Sequence, residues 1–462
     1  MAARSVKPDL LAIAGGVVAL SLAARFALRR RRGAVAPEGG SPCHVVVIGA
    51  GFGGLSAALE LAGAPEVHLT VIDTQNHHVF QPLLYQVATA ALSPEDIASP
   101  VRDILPAEAR AHVVMETVTG IDTSRRQVLC GDRRVPYDEL VIATGSRSSY
   151  FGHDDWAEAA PSLKTLDDAL ELRRRILSSF EQADASTDPA EQARLLTFVL
   201  IGAGPTGVEM AGSIAEMGRE RLWLDWELRA VRPRVLLVEA GERVLAAFAS
   251  DLSENAVEAL GRLGVEVRTD TRVTAIEKGQ VHLGDEIIRA ATIVWTAGTA
   301  AAPVAEWLGV KPGRGGRVEV GPDLRVAGRE QVQAIGDVAL ALDRKGAPLP
   351  ALAPVAKQQG SYVAHAILRR LRGQPAPGPF RYRDYGTMAT IGRGKAVAQF
   401  GPVHLTGVVG WVLWAGAHIF FLIGFRNRFL VSAQWMFAFA TNQRPGQLII
   451  GRLPGSAGTG AN

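Results

Sequence analysis

The chain carries one glycine-rich turn pattern twice, and that repetition limits its fold more than any other feature. His44-Val-Val-Val-Ile-Gly49 is a short apolar run of strand character, leading into Gly49-Ala-Gly51-Phe-Gly-Gly54 and an Ala/Leu-rich helix to about Leu61. Gly49 permits the tight turn, Gly51 lets backbone approach a pyrophosphate, and Gly54 lets helix and strand pack closely. The helix N-terminus adds unpaired N–H groups and a partial positive charge for the phosphates. A second strand, His68 to Ile72, ends in Asp73, where a carboxylate meets ribose hydroxyls in such units. A lone G-x-G-x-x-G is a weak signal; strand, glycines, helix, strand and acid in succession are a strong one.

The second copy begins with a strand run from Leu195 to Ile201, followed by Gly202-Ala-Gly204-Pro-Thr-Gly207-Val-Glu209 and a helical stretch expected to extend through Trp226. The strand Arg234 to Val238 then ends in Glu239. A carboxylate there accepts bonds from a 2′-hydroxyl and repels a 2′-phosphate, pointing to NADH over NADPH, a preference that nearby Arg243 blurs. Three further strand-and-turn segments follow the same logic: Tyr137 to Thr144-Gly145, Thr292 to Gly298, and Val332 to Gly336-Asp337. Each alone reads as an ordinary strand and turn. Their shared order predicts an α/β fold with two Rossmann-like dinucleotide-binding domains.

Length and composition agree. At 462 residues, 48% hydrophobic and 21% charged, the chain needs two or three cores. A net charge of +3, with no basic stripe carrying interleaved aromatics, argues against a nucleic-acid binder. The two cysteines, Cys43 and Cys130, form no C-x-x-C pair, which removes metal clusters and a redox disulfide from contention. No metal site is expected.

Both ends point towards lipid. Leu10 to Leu28 is apolar apart from Arg25 and is followed by Arg29 to Arg32. That length is just enough to span a bilayer, about 20 residues. The basic block follows the apolar stretch, unlike a secretory signal, and the positive-inside rule leaves everything after it in the cytoplasm. A disordered tail or transit peptide is the plainer alternative. At the other end no Lys, Arg, Asp or Glu occurs between Lys395 and Arg426. There Trp411, Trp414, His418, Phe421 and Phe425 recur at helical spacing as one bulky stripe, with Gly and Ala expected opposite. A second apolar run follows Arg428. A buried hairpin, a spanning hairpin and two interfacial helices all fit; tryptophans with cations at the junction favour the interface.

On these segments the chain resembles the two-dinucleotide-binding-domain flavoproteins, and among them the type II NADH dehydrogenases, the non-proton-pumping NADH:quinone oxidoreductases. Asn76-His-His-Val-Phe80-Gln81-Pro82-Leu83-Leu84-Tyr85-Gln86 and Gly424-Phe-Arg426-Asn427-Arg428 narrow the likeness. The resemblance implies FAD in the first unit, with Gly49, Gly51, Gly54, Asp73, Gln81, Thr144, Gly145 and Asp337 as contacts. It implies NADH in the second, with Gly202, Gly204, Gly207, Glu239 and Gly298. Glu209 is implied as the carboxylate between the nicotinamide and quinone sides of the flavin, its plainer reading being a first-turn acid favoured by the helix dipole. The quinone-side motif reads Ala353-Pro354-Val355-Ala356-Lys357-Gln358. Pro354 replaces its usual first Gln and leaves Gln358 as the implied quinone contact.

The expected organisation is then a hydrophobic anchor with basic flank over 1–33 and a linker over 34–42. The FAD domain covers 43–160 and 301–400, the latter with the quinone-side elements, and the NAD(P)H domain covers 161–300. Membrane-associated helices occupy 401–450 and a disordered tail 451–462. Lipid would be met through residues 403–440 and 10–28, at the cell inner (cytoplasmic) membrane with the catalytic domains on its cytoplasmic face; a homodimer is compatible. The alternatives are an NAD(P)H oxidase, a reductase of another lipophilic acceptor, or a flavin-binding sensor without turnover. Lack of a cysteine pair disfavours disulfide reductases and sulfide:quinone oxidoreductases.

Overall fold

A computed structural model describes residues 41–107, 109–220, 232–441, 444 and 446–449. The expected anchor at 10–28, the continuation of the second helix to Trp226 and the tail at 451–462 lie outside the described residues.

The first unit is built on a six-stranded sheet. Its order is Arg325–Val326, Arg329–Ala334, Glu139–Ile142, Cys43–Ile48, Val67–Asp73 and Ala111–Met115. Cys43–Ile48 runs parallel to both neighbours, with Val45 opposite Leu69 on one side and Glu139 on the other. A central parallel strand is covered on both faces, which is why Val45, Val46 and Val47 form an unbroken apolar run and all are buried. The helix Phe52–Leu61 packs against Ala353–Leu371. A Cβ on Gly360 would run into the carbonyl oxygen of Gly53, so the close approach of these helices requires glycine.

The second unit has a four-stranded parallel sheet ordered Val265–Arg268, Arg234–Val238, Thr197–Ile201 and Thr292–Trp295. It is an insertion in the first. The chain leaves through Ser146–Ser148 and returns through Thr299–Ala301, and these two segments pair antiparallel as a narrow ribbon. The strand expected from Leu195 starts at Thr197 instead. Leu195 ends the short helix Pro189–Leu195 and is buried there with Leu196.

A third sheet, Thr387–Gly392, Lys395–Phe400 and Val403–Thr406, lies over the second unit. Residues 401–406, expected within a helical region, therefore belong to strand and turn. Gly394 and Gly401, both at positive φ, make the reversals. The helices Gly407–Phe421 and Phe425–Thr441 follow. Trp414, Trp435 and His418 face inward: Trp414 stacks on Trp435 at 5.2 Å and lies tilted against His418 at 4.4 Å. Trp435 Nε1 donates to Gln86 Oε1 at 2.8 Å, tying the second helix to the first unit. The outer side is not the Gly/Ala face expected. It exposes Val408, Val409, Leu413 and Phe420, and Phe425, which begins the next helix, is exposed with Phe429, Met436 and Phe437. No helix of the described residues is long and apolar enough to cross a membrane.

Candidate active site

Both glycine-rich turns have the geometry of a phosphate cradle. In the first, Gly49 has φ +99° and a Cβ on it would strike the Ala143 carbonyl. A Cβ on Gly54 would strike the Gly49 carbonyl, while Gly51 faces open space. Asp73 braces the turn, its Oδ2 accepting from Ala50 N at 2.6 Å and its Oδ1 from Gln75 N at 2.8 Å. Thr144 Oγ1 and His78 Nε2 are buried with no protein partner, and Gly145 takes φ +69°. Asp337 Oδ2 accepts from Ser146 Oγ at 2.7 Å, and Lys164 Nζ donates to that hydroxyl at 3.1 Å. Gln81 Nε2 donates to the Lys164 carbonyl at 3.4 Å. The fold thus links Gln81 through Lys164 and Ser146 to Asp337, with Thr144 and Gly145 immediately before Ser146 in the chain. Orphaned polar atoms and a turn open only at Gly51 fit a polar, phosphate-bearing cofactor such as FAD.

In the second turn Gly202 has φ +104°, a Cβ on Gly207 would strike the Gly202 carbonyl, and Gly204 is open. Glu239 accepts from Ala203 N at 2.7 Å and Gly241 N at 2.8 Å. Gly298 takes φ +74° where a Cβ would collide with the Phe151 ring. Arg243 donates to the Ala246 carbonyl at 3.0 Å.

Between the units runs a cleft of about 1370 Å³. Phe52, Phe80 and Pro82 line it from the first unit, Pro205, Thr206 and Glu209 from the second, and His418 and Phe421 from the tail helix. Glu209 is buried, and burial pushes its carboxyl up to about 8. Its hydrogen bond is a long one, from Thr390 N at 3.4 Å. Thr390 reaches it because the strand Thr387–Gly392 lies on the helix Pro205–Glu220 at Gly212, where a Cβ would meet the Ile391 carbonyl. Lys357 Nζ sits over the Phe421 ring, 5.0 Å from its centroid, and burial, with Arg428 adding repulsion, lowers its proton affinity.

The structure turns Gln358 elsewhere. Its Nε2 donates to the Arg383 carbonyl and its Oε1 accepts from Arg383 N, both at 2.9 Å. Successive side chains on a helix point about 100° apart, so Lys357 lines the cleft while Gln358 pins the neighbouring segment. Gln359 Oε1 accepts from Gly336 N at 2.6 Å, beside Asp337. Pro354 does line the cleft.

The family model described as pyridine nucleotide-disulphide oxidoreductase matches residues 43–360. The chain is 41% identical over 423 residues to the type II NADH:quinone oxidoreductase Ndh of Mycobacterium tuberculosis, covering 88% of this chain and 90% of that protein. The chain belongs to the type II NADH:quinone oxidoreductases. A second protein of that organism, type II NADH:quinone oxidoreductase NdhA, is 40% identical over 427 residues, covering 88% of this chain and 89% of that protein. The fold is shared with NDH2 of Plasmodium falciparum, solved in complex with NADH, at TM-score 0.80 and 19% identity, over 89% of this chain and all of that one.

For this family member, three cleft and crevice side chains escape the motif reading. Lys164 directly precedes the capping box Thr165–Asp168 of the helix Leu166–Ala185 and looks like ordinary helix punctuation. Lys357 is hidden inside the quinone motif, one residue from the expected contact. His418 is visible only as a member of the aromatic stripe.

Proposed function

We propose that the chain oxidises NADH and passes the electrons through FAD to a membrane quinone. The observation carrying this is a single cleft that joins the N-terminal part of the second glycine-rich helix, at Glu209 just past its first turn, to the apolar tail helix, at His418 and Phe421. FAD, when bound, supplies the electron chemistry, taking a hydride and giving up two electrons. Gly51, Asp73, Thr144 and Asp337 would hold it, with Ser146 and Lys164 fixing the Asp337 carboxylate. NADH would lie on the second turn, its phosphates at the N-terminus of Pro205–Glu220 and its ribose at Glu239.

Quinone reduction consumes two protons, and two residues in the cleft carry one near neutrality. Buried Glu209 stays protonated until about pH 8. Lys357 is a donor-only ammonium with no carboxylate partner among the described residues, and its eased deprotonation suits it to give a proton to a quinone oxygen.

The exposed Val408, Val409, Leu413, Phe420 and Phe429 support an interfacial seat for the tail helices, which would let a lipophilic acceptor enter from the bilayer. On this reading the enzyme works at the cytoplasmic face of the inner membrane, helped by the basic-flanked segment 10–28, and a homodimer is compatible. An absorption spectrum during anaerobic NADH addition, followed by quinone, tests the assignment. Flavin bands should bleach and then recover; a holoprotein that bleaches without recovery does not use quinone.

A further inference from the structure

We propose that His418 holds the reduced product, its Nε2 accepting a hydrogen bond from a quinol hydroxyl. This rests on the quinone reading above and adds a discrimination between the two forms of the substrate.

The tautomer follows from the helix. His418 Nδ1 lies 2.7 Å from the Trp414 carbonyl oxygen, which can only accept, so Nδ1 carries the hydrogen. In a neutral imidazole the other nitrogen is then a bare acceptor. The surroundings hold the ring neutral. The Trp414 ring lies tilted against it at 4.4 Å and Phe80 meets it edge-on at 6.0 Å. The other titratable groups lining the cleft are Glu209, kept protonated by burial, the cations Arg344, Lys345, Lys357 and Arg381, the acids Asp343 and Asp384, and Tyr382 and Tyr385; none of them hydrogen-bonds or ion-pairs with His418. Burial takes the ring down to about 4. Nε2 makes no hydrogen bond among the described residues, while the residue lines the cleft.

Lys357 and His418 therefore offer opposite halves of a hydrogen bond. Lys357 reaches the Phe421 ring, and Phe421 lies one helical turn from His418. A quinone carbonyl has no hydrogen to give and finds its partner in Lys357. A quinol hydroxyl has one, and His418 is its acceptor. His418 is thus silent towards the oxidised substrate and favours the product, so quinol departure weighs on turnover.

The test uses the FAD-loaded full chain, anaerobically, with menadione as acceptor and menadiol as added product. For His418→Phe, which keeps an aromatic ring and loses the acceptor, the inhibition constant of menadiol should rise roughly three- to tenfold while the KM for menadione moves less than twofold. Equal movement of both constants, or a rise in KM alone, overturns the proposal. His418→Gln, which can present either a carbonyl or an N–H, guards against a Phe variant that does not fold: it should leave the menadiol constant near wild type and lower the KM. A menadiol constant that rises in the Gln variant also overturns it. Wild-type protein that reduces ferricyanide from NADH but no menadione would instead sink the quinone reading itself, before any variant is made.

Discussion

The two glycine-rich turns are near copies in backbone terms, yet the helices that follow them have different fates. Gly49 and Gly202 sit at φ +99° and +104°. Asp73 and Glu239 each accept the N–H of the residue after that glycine, at 2.6 and 2.7 Å. What differs is the cover. The first helix is closed by another helix, at Gly53 and Gly360; the second is closed by a strand, at Gly212 and the Ile391 carbonyl. The strand leaves the start of its helix, with Pro205, Thr206 and, just past the first turn, Glu209, lining the cleft. On the proposed reading the turn positions phosphates in both units, and the cover decides which helix also presents a side chain to the cleft.

The strongest way to break this comparison is to spoil each turn separately. Gly54→Ala and Gly207→Ala each drive a carbon into a carbonyl, a strain of about 1–3 kcal/mol at the phosphate cradle. Gly54→Ala should be purified without flavin. Gly207→Ala should keep its flavin bands, bleach with dithionite, and fail to bleach with NADH. Equal flavin loss in both would mean that the turns are not independent.

Glu209→Gln sharpens the contrast between the covers. Quinone turnover should fall roughly a hundredfold if the carboxyl moves a proton. Stability should change in the opposite sense. Burial lifts the folded group from 4.5 to about 8, so the stability linked to its proton is complete below pH 4.5 and is lost as pH rises to about 8. The variant should therefore unfold at the same temperature as wild type near pH 4 and at a progressively higher one up to pH 8, by about 1.4 kcal/mol per pH unit at most. A gap in melting temperature that does not widen with pH refutes the buried-acid assignment.

The tail helices extend the second cover towards lipid. Val409→Glu should weaken sedimentation with anionic vesicles about tenfold without altering NADH-dependent ferricyanide reduction. The smallest effect is expected at the two acids. Glu239→Gln should narrow the preference for NADH over NADPH about fivefold in kcat/KM, and Asp73→Asn should leave that preference alone. A matching shift in both would show that Glu239 acts only as a brace for its turn.

The parts legible in the sequence are local. Both glycine turns, the acids that follow their second strands and the inward Trp414 stripe sit at fixed spacings within one strand–helix–strand unit or one helix, where spacing alone carries the information. Long-range assembly was not legible. Nothing near Lys164 announces that it meets Ser146 and Asp337, which come from other segments of the chain. Which of Lys357 and Gln358 lines the cleft depends on helix rotation, which a linear motif does not encode. Gly212 belongs to no motif at all; its need for a missing side chain exists only because a strand crosses it. The outer face of the first tail helix carries Val408, Val409, Leu413 and Phe420, and the helix ends at Phe421, which breaks the register before Phe425.

The ribbon formed by Ser146–Ser148 and Thr299–Ala301 has a consequence for how such chains diversify. Because exit and re-entry lie side by side, the whole inserted nucleotide unit has neighbouring ends and can be exchanged as a cassette. A donor preference could then be grafted from a relative in a single splice, provided the graft keeps Glu209 and Gly212, which face the rest of the molecule.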